Sequence, residues 1–144
     1  MPKPQPCLFC GIIEKEIDAA IVFESELVLA FLDRRPLFPG HTLVVPRTHV
    51  HTLPEVPDEL LAPLFGAVRL LSAAVRDATG AEGSFVAANN VVSQSVPHLH
   101  VHVVPRTKGD GLRGFFWPRS EYRDDAHIEE TRIAIRDAVA QLEG

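Results

Sequence analysis

The sequence predicts an α+β domain built on an antiparallel sheet of about five strands with two main helices. Short apolar segments rich in β-branched residues follow one another, separated by turn residues. Two longer segments instead space their apolar residues as the buried face of a helix does. Along the chain, these two segments are set apart from most of the strands. Strands that follow one another directly, with helices set apart, favour an antiparallel sheet. A chain of 144 residues fits a single domain, 1–144.

The strands are recognised by apolar runs that stop at proline, glycine or acidic turns. They are predicted at 20–24, 27–32, 41–45, 84–88 and 98–104. Residues 34–40 form a loop, since two prolines and Gly40 interrupt strand pairing there. A short helical turn is expected at 11–16, and residues 1–6, rich in proline, form a loose tail.

Two helices complete the predicted domain. Pro57 and the acids after it suit a helix start, and Gly80 suits its end. Its apolar stripe comprises Leu60, Leu64, Val68, Leu71 and Val75. Within the C-terminal segment 106–144, Asp124 or Asp125 can cap a last helix. The stripe of that helix comprises Ile128, Ile135, Val139 and Leu142.

Composition narrows the range of partners. The formal net charge of −5 argues against a nucleic-acid backbone as partner, although a small anionic substrate stays compatible with it. No run approaches 18 uninterrupted apolar residues, so no membrane span is expected. The first residues lack the apolar centre of a signal peptide, which predicts a cytoplasmic protein.

Three histidines alternate with apolar residues in the last predicted strand. His98, His100 and His102 would share one face of that strand, because side chains at i, i+2 and i+4 point the same way. Imidazole changes charge near neutral pH and is the commonest metal ligand. The residues alone leave three interpretations: a reactive site, a metal site, or a solvated strand face.

The residues around these histidines resemble the histidine-triad (HIT) family of nucleotide hydrolases and transferases. The run His98–Val104 matches the family's defining motif of three histidines with apolar spacers, and Gln94–Val96 precedes it as in the phosphoramidase and diadenosine polyphosphate hydrolase branches. Segments 31–36 and 39–47 are similar to the nucleoside-binding strand and the strand that follows it. The similarity covers about residues 7–110 and implies a HIT-like fold.

The resemblance implies an enzyme that cleaves at the α-phosphate of purine nucleotides and forms a homodimer. His100 would be the covalent nucleophile, and the intermediate a nucleotidyl-histidine. His102 would bind the α-phosphate, while Ser95 and Gln94 would hydrogen-bond the phosphate or leaving group. Without that context, Ser95 and Gln94 would simply satisfy a turn. Two rival functions are a nucleotide-binding regulatory protein with incidental turnover and a zinc-binding structural protein.

The same resemblance supplies a nucleoside site. Asp33 would accept the ribose hydroxyls, although alone it would be taken for a turn residue. Phe9, Ile12, Leu27 and Phe31 match positions that sandwich the base, although apolar residues also belong to the core. Asn89 or Asn90 would contact phosphate or ribose. His41 is expected to be packed or hydrogen-bonded.

Cys7 and Cys10 are the only cysteines of the chain. Their spacing suits half of a zinc site or a redox dithiol. Zinc-containing HIT members use two cysteines, a histidine after the third strand and the first triad histidine. The resemblance therefore implies a structural Zn²⁺ site at Cys7, Cys10, His49 and His98, with His51 as a substitute for His49. The aromatic segment Phe115–Arg119 would form a dimer interface or a lid over the base.

Overall fold

In a computed structural model of the protein, residues 7–113 and 118–144 are described. Their elements are α1 (Leu8–Ile13), β1 (Ile21–Glu24), β2 (Val28–Leu32), β3 (Thr42–Pro46), α2 (Asp58–Thr79), β4 (Gly83–Ala87), β5 (Val101–Arg106) and α3 (Asp125–Glu143). The chain divides into two compact units, Met1–Asp110 and Gly111–Gly144. No helix among the described residues has the length and apolar character needed to cross a membrane.

The five strands form one sheet in the order β1-β2-β3-β5-β4, and every neighbouring pair is antiparallel. The predicted α+β class and the five-stranded antiparallel sheet are confirmed. Leu43 lies opposite Phe31 on one side and opposite His102 on the other. Because directly paired residues point to the same face, the triad histidine of β5 shares a face with Phe31 and Leu43.

Both faces of the sheet are covered. Helix α2 packs on one face, against a buried cluster that includes Val28, Val44, Leu99, Val101 and Val103. Helix α1 packs on the other face, where Phe9 and Ile12 meet Leu29, Phe31, Leu43 and Val45. Because both faces of β2 and β3 are buried, the sequences of these two strands are nearly continuous apolar runs.

Helix α2 agrees with the sequence expectation. Pro57 is its N-cap, and Gly80 ends it with a left-handed φ of 71°. A second glycine holds the end of this helix against the sheet: at Gly40, φ is 101°, and a Cβ there would lie 2.7 Å from Cγ2 of Thr79. A side chain at position 40 would therefore press on Thr79 two residues before β3 begins at Thr42.

Two elements differ from the prediction by more than one residue at their start. The last strand begins at Val101 instead of His98. Before it, the His98 N–H bonds to the Val96 carbonyl (2.8 Å) and the Leu99 N–H to that of Val50 (2.7 Å), outside the ladder with β3. The first helical turn spans Leu8–Ile13 instead of 11–16, because Sγ of Cys7 caps it by accepting from the Cys10 N–H at 3.3 Å.

Helix α3 forms most of the second unit. Asp124 is the cap, since its side chain accepts from the His127 N–H at 2.8 Å. The predicted apolar stripe is present but none of its residues is buried, and Ile135 is 61% exposed. Residues 1–6 and 114–117 lie outside the described residues, and with them the expected loose tail and most of the aromatic segment.

Candidate functional site

A cleft of about 420 Å³ opens on the sheet face that α1 covers. Its lining joins three parts of the chain that the sequence analysis singled out. Ser95, His100 and His102 contribute polar side chains to this lining. The apolar walls include Phe9 and Ile12 of α1 and Phe31 of β2, and Asp33 lies just beyond that strand. The structure therefore brings seven of the predicted site residues together in one cavity.

His100 is held in one orientation by the backbone. Its Nδ1 lies 2.8 Å from the His98 carbonyl oxygen, which can only accept, so the ring proton is on Nδ1. The lone pair of Nε2 is then left available on the other side of the ring. The side chain is 4% exposed, and the edge of Phe9 packs against it with ring centroids 4.9 Å apart. The backbone therefore fixes which ring nitrogen of His100 is left for the cleft.

His102 is oriented through a second histidine. The Leu37 N–H donates to Nδ1 of His41 at 3.1 Å, so the proton of a neutral His41 is on Nε2. That Nε2–H donates to Nδ1 of His102 at 2.9 Å. His102 therefore carries its own proton on Nε2, as a donor. Burial lowers the pKa of His102 to about 4, so the ring is neutral near pH 7.

His41 is thus more than a packed residue, since it sets the tautomer of His102. It is 3% exposed, and burial lowers its pKa. Asp33 partly opposes that effect from 3.8 Å away, while its other oxygen accepts from the Arg35 N–H at 2.8 Å. The sequence signal for this role was available: a polar imidazole directly before the apolar run 42–46 needs a buried partner.

Asp33, His41 and His102 are close enough to suggest a metal site, with candidate ligand atoms within 4.8 Å of one another. The hydrogen bond from the Leu37 N–H argues against it, because it occupies the Nδ1 lone pair of His41. Binding a metal through Nε2 would require the ring proton on Nδ1, against that N–H. This cluster is therefore a hydrogen-bonded chain and carries no metal in our interpretation.

The side-chain amides that were predicted to contact the ligand form hydrogen bonds within the protein instead. Gln94 accepts from the Val91 N–H at 3.1 Å and donates to the His51 carbonyl at 2.7 Å. Asn90 accepts from the Leu53 N–H at 2.8 Å, and Asn89 donates to the Ser93 carbonyl at 3.2 Å. None of the three lines the cleft. Their amides hold the loop that leads to Ser95.

That loop contains unfavourable backbone conformations. Val91 has a φ of 70° and Ser93 a φ of 62°, both in the left-handed region. For a β-branched residue such as Val91, this conformation costs about 1–2 kcal/mol. The side chain of Val91 is 68% exposed, so no burial of that side chain offsets the cost. The Gln94 side chain fixes the turn by holding the Val91 N–H.

The apolar part of the cleft differs slightly from the prediction. Leu27 lies in the turn before β2, is 40% exposed and does not line the cavity. Its place is taken by Leu8, Ile17 and Leu43, which the sequence analysis did not select. Ile17 had a usable signal, as the one large apolar residue in the polar run 14–18.

The four predicted metal ligands converge at the other side of α1. Sγ of Cys7 lies 3.4 Å from Nδ1 of His98, and Sγ of Cys10 lies 3.3 Å from Nδ1 of His49 and 3.6 Å from that of His98. All four candidate ligand atoms lie within 4.8 Å of one another. A tetrahedral zinc with bonds of about 2.0–2.3 Å separates its ligand atoms by roughly 3.3–3.8 Å.

The surroundings also suit zinc. Nε2 of His98 donates to the Pro46 carbonyl at 2.8 Å, which leaves Nδ1 to face the thiols. Burial raises the pKa of the Cys10 thiol to about 11, so a cation is needed to hold it as thiolate at neutral pH. His51 is not part of the cluster, which favours His49 as the fourth ligand. The residues present therefore fit the ion.

Comparison with known proteins agrees with this geometry. The HIT domain family matches residues 14–109. The protein named hit of Bacillus subtilis is 45% identical over 127 residues, which cover 86% of each chain. An adenosine 5'-monophosphoramidase of Schizosaccharomyces pombe is 34% identical, covering 78% of this chain and 83% of its own. An adenylylsulfatase of Arabidopsis thaliana is 36% identical over 74% of this chain and 55% of its own.

Solved structures show the same fold. The crystal structure of a HIT family member from Bacillus subtilis has a TM-score of 0.83 at 37% identity, covering 92% of this chain and 96% of the other. A zinc-bound histidine triad family protein from Mycobacterium smegmatis has a TM-score of 0.70 at 36% identity, covering 95% of both chains. Sequence, fold and site together show that the chain belongs to the HIT domain family.

Proposed function

We propose that the protein is a nucleotide hydrolase or nucleotidyl transferase that cleaves at the α-phosphorus of purine nucleotides. Candidate substrates are phosphoramidates, acyl-adenylates and diadenosine polyphosphates. One observation carries the proposal: the His98 carbonyl binds the protonated Nδ1 of His100 and leaves Nε2 as the reactive nitrogen beside a cleft. The phosphoramidase and adenylylsulfatase names of two relatives support the same class of chemistry.

The reaction would proceed in two displacements. Nε2 of His100 attacks the α-phosphorus, a P–N bond forms, and the bond to the leaving group breaks as that group takes up a proton from solvent. The positive charge that develops on the imidazole is stabilised by the His98 carbonyl, 2.8 Å from Nδ1. Water or another acceptor then attacks phosphorus, breaks the P–N bond and releases the nucleoside monophosphate with a free His100.

The chain offers donors for the charge on the phosphoryl oxygens. His102 presents a neutral Nε2–H because His41 occupies its Nδ1, and the Ser95 hydroxyl lines the same end of the cleft. Donors fixed before the reaction lower the barrier without reorganising during it. We assign Gln94 the role of holding the loop that carries Ser95, because both ends of its amide are bonded to backbone.

The nucleoside would lie against α1 and the end of β2. Asp33 would accept the ribose hydroxyls, and Phe9, Ile12 and Phe31 would contact the base. Zinc bound by Cys7, Cys10, His49 and His98 would be structural, since a closed shell of four ligands leaves no position for substrate. It would tie α1 to the segment that carries the triad. The homodimer and the cytoplasmic location stay predictions.

Trapping the covalent intermediate tests the proposal. The protein is mixed with adenosine 5'-phosphoramidate, quenched in neutral denaturant because phosphoryl-imidazoles are acid-labile, and examined by intact-mass and peptide mass spectrometry. A single nucleotidyl group on His100 is expected. The variant His100→Asn should still bind AMP but form no adduct, and His127→Asn, changed outside the cleft, should behave as the unaltered protein.

The same experiment separates the rival functions. A regulatory nucleotide-binding protein would bind AMP but give no adduct and no turnover with any of the three substrate classes. An adduct on another residue, or one that persists in His100→Asn, would overturn the assignment of the nucleophile.

A further inference from the structure

We propose that Asp18 and Arg34 determine the base specificity of the cleft and make it select guanine. This inference rests on the proposed function, since it concerns the base of the nucleotide that His100 would attack. Neither residue takes part in the chemistry at phosphorus. Both line the cleft, and both also line a second cavity that His100 and His102 do not line.

The cleft adjoins a second cavity of about 500 Å³, whose lining includes neither His100 nor His102. Asp18, Ala19, Leu32, Asp33 and Arg34 line both cavities. In a nucleotide, the ribose separates the 5'-phosphate from the base. With phosphate at His100 and ribose hydroxyls at Asp33, we expect the base edge to reach the part of the cleft that Asp18 and Arg34 line.

The end of the β1–β2 pairing brings together the segments that carry these two residues. Ile21 pairs with Phe31, and the Leu32 N–H donates to the Ala20 carbonyl at 3.0 Å. Asp18 precedes Ala20 by two residues, Arg34 follows Leu32 by two residues, and both line the same two cavities. The lining of this space therefore includes an anionic and a cationic side chain.

The two opposite charges do not neutralise each other. No ion pair or hydrogen bond joins the side chain of Asp18 or Arg34 to any other of the residues that the structure describes. Nearby, Lys15 and Glu24 do pair, at 2.7 Å. An acid and a guanidinium that line one cavity without pairing can both bind a ligand that has a donor edge and an acceptor edge.

Guanine has both edges. Its N1–H and N2–H₂ groups can donate to one carboxylate, and its O6 and N7 are the acceptors that arginine binds with two parallel bonds. Adenine presents an acceptor at N1, which a carboxylate repels, and has only the N6 amino group to donate. Hydrogen bonds to a charged partner are the stronger ones, so we expect discrimination of about tenfold or more.

Binding of mononucleotides tests the inference independently of catalysis. Calorimetric titration compares GMP, IMP and AMP, where IMP lacks only the N2 amino group of guanine. The unaltered protein should bind GMP about tenfold or more tightly than AMP, with IMP between them. Asp18→Asn should weaken GMP binding by about tenfold and change AMP binding by less than about threefold.

Two further variants complete the test. Arg34→Gln should also weaken GMP binding more than AMP binding. Glu16→Gln removes an exposed acid two positions from Asp18 that lines neither cavity, and should leave all three affinities unchanged. Equal affinity for GMP and AMP, or a preference that survives in Asp18→Asn, overturns this inference but leaves the proposed function standing. Failure of all nucleotides to bind overturns both.

Discussion

His98 and His100 stand two residues apart, yet the structure gives them different chemistry. Each donates one ring N–H to a backbone carbonyl at 2.8 Å, His98 from Nε2 to Pro46 and His100 from Nδ1 to His98. His98 therefore turns Nδ1 towards two thiols, while His100 leaves Nε2 for the cleft.

The difference shows that residue type alone does not decide what each histidine of this motif can bind. The nitrogen that the backbone occupies decides which nitrogen of the imidazole is left for another partner. The ring centroid of Phe9 lies 6.0 Å from that of His98 and 4.9 Å from that of His100. Phe9 therefore contacts both the Cys7–Cys10–His49–His98 cluster and the cleft.

The strongest test of this difference between His98 and His100 is to replace His100. His100→Asn should lower kcat for adenosine 5'-phosphoramidate by about 10⁴-fold or more, because no second nucleophile replaces Nε2. The zinc content, measured by atomic absorption, should stay at that of the unaltered protein. A loss of zinc in this variant would show that the two histidines do not act separately.

The reciprocal change tests the cluster of Cys7, Cys10, His49 and His98 as a zinc site. Cys10→Ser should weaken zinc binding by about 100-fold or more and lower Tm by about 5–15 °C, because a closed zinc shell contributes to folding. Competition with a chromogenic chelator and calorimetry measure the two effects. His49→Asn should act in the same direction, whereas His51→Asn, outside the cluster, serves as the control. Equal zinc loss in both histidine variants would contradict the ligand assignment.

A smaller effect is expected from the histidine that orients His102. His41→Leu removes the donor to Nδ1 of His102, so the proton of His102 is no longer confined to Nε2. Loss of such a supporting contact typically costs about 10–100-fold. We expect a decrease of that size in kcat with less than about a threefold change in KM, measured by steady-state kinetics. An unchanged kcat would contradict the role of His41 in orienting His102.

The smallest effect concerns pH and stability. Burial lowers the pKa of His102 to about 4, below the value near 6.5 expected in the unfolded chain. Between these two pKa values, His102 is protonated in the unfolded chain but not in the folded chain. The stability that His102 contributes above pH 6.5 is therefore lost as the pH falls towards 4. Between pH 7 and 5 this contributes about 1–2 kcal/mol.

The matching measurement is denaturant unfolding at both pH values. His102→Gln should lose less free energy of unfolding between pH 7 and 5 than the unaltered protein, by about 1–2 kcal/mol. Release of zinc by acid affects both proteins and cancels in the difference. The exposed His51→Gln should follow the unaltered protein. A variant as acid-sensitive as the unaltered protein would show that His102 is not the group responsible.

Much of the fold followed from apolar patterning and turn residues. The five strands and α2 were predicted because burial on both faces of the sheet leaves long apolar runs, and because Gly80 marks a helix end. The start of β5 was missed because alternation of apolar and polar residues does not distinguish a strand from the bend at His98. That bend depends on a hydrogen bond from Leu99 to Val50, distant in sequence.

The site was predictable in its residue types but not in its partners. The motif indicated His100 and His102, yet the proton positions depend on the His98 carbonyl and the Leu37 N–H, which no side-chain pattern reveals. For the same reason Gln94 was expected at the phosphate, whereas its amide bonds to the backbone of Val91 and His51. Leu27 matched a family position but lies in a turn.

The left-handed conformation of Val91 has a practical consequence for engineering. Glycine or asparagine adopts this conformation more readily, so replacement at position 91 should raise thermal stability while leaving every hydrogen bond of the backbone in place. Because the valine side chain is exposed, this replacement would raise thermal stability without changing the packing of the core. A fluorophore attached through a cysteine at this position would lie only four residues before Ser95, which lines the cleft.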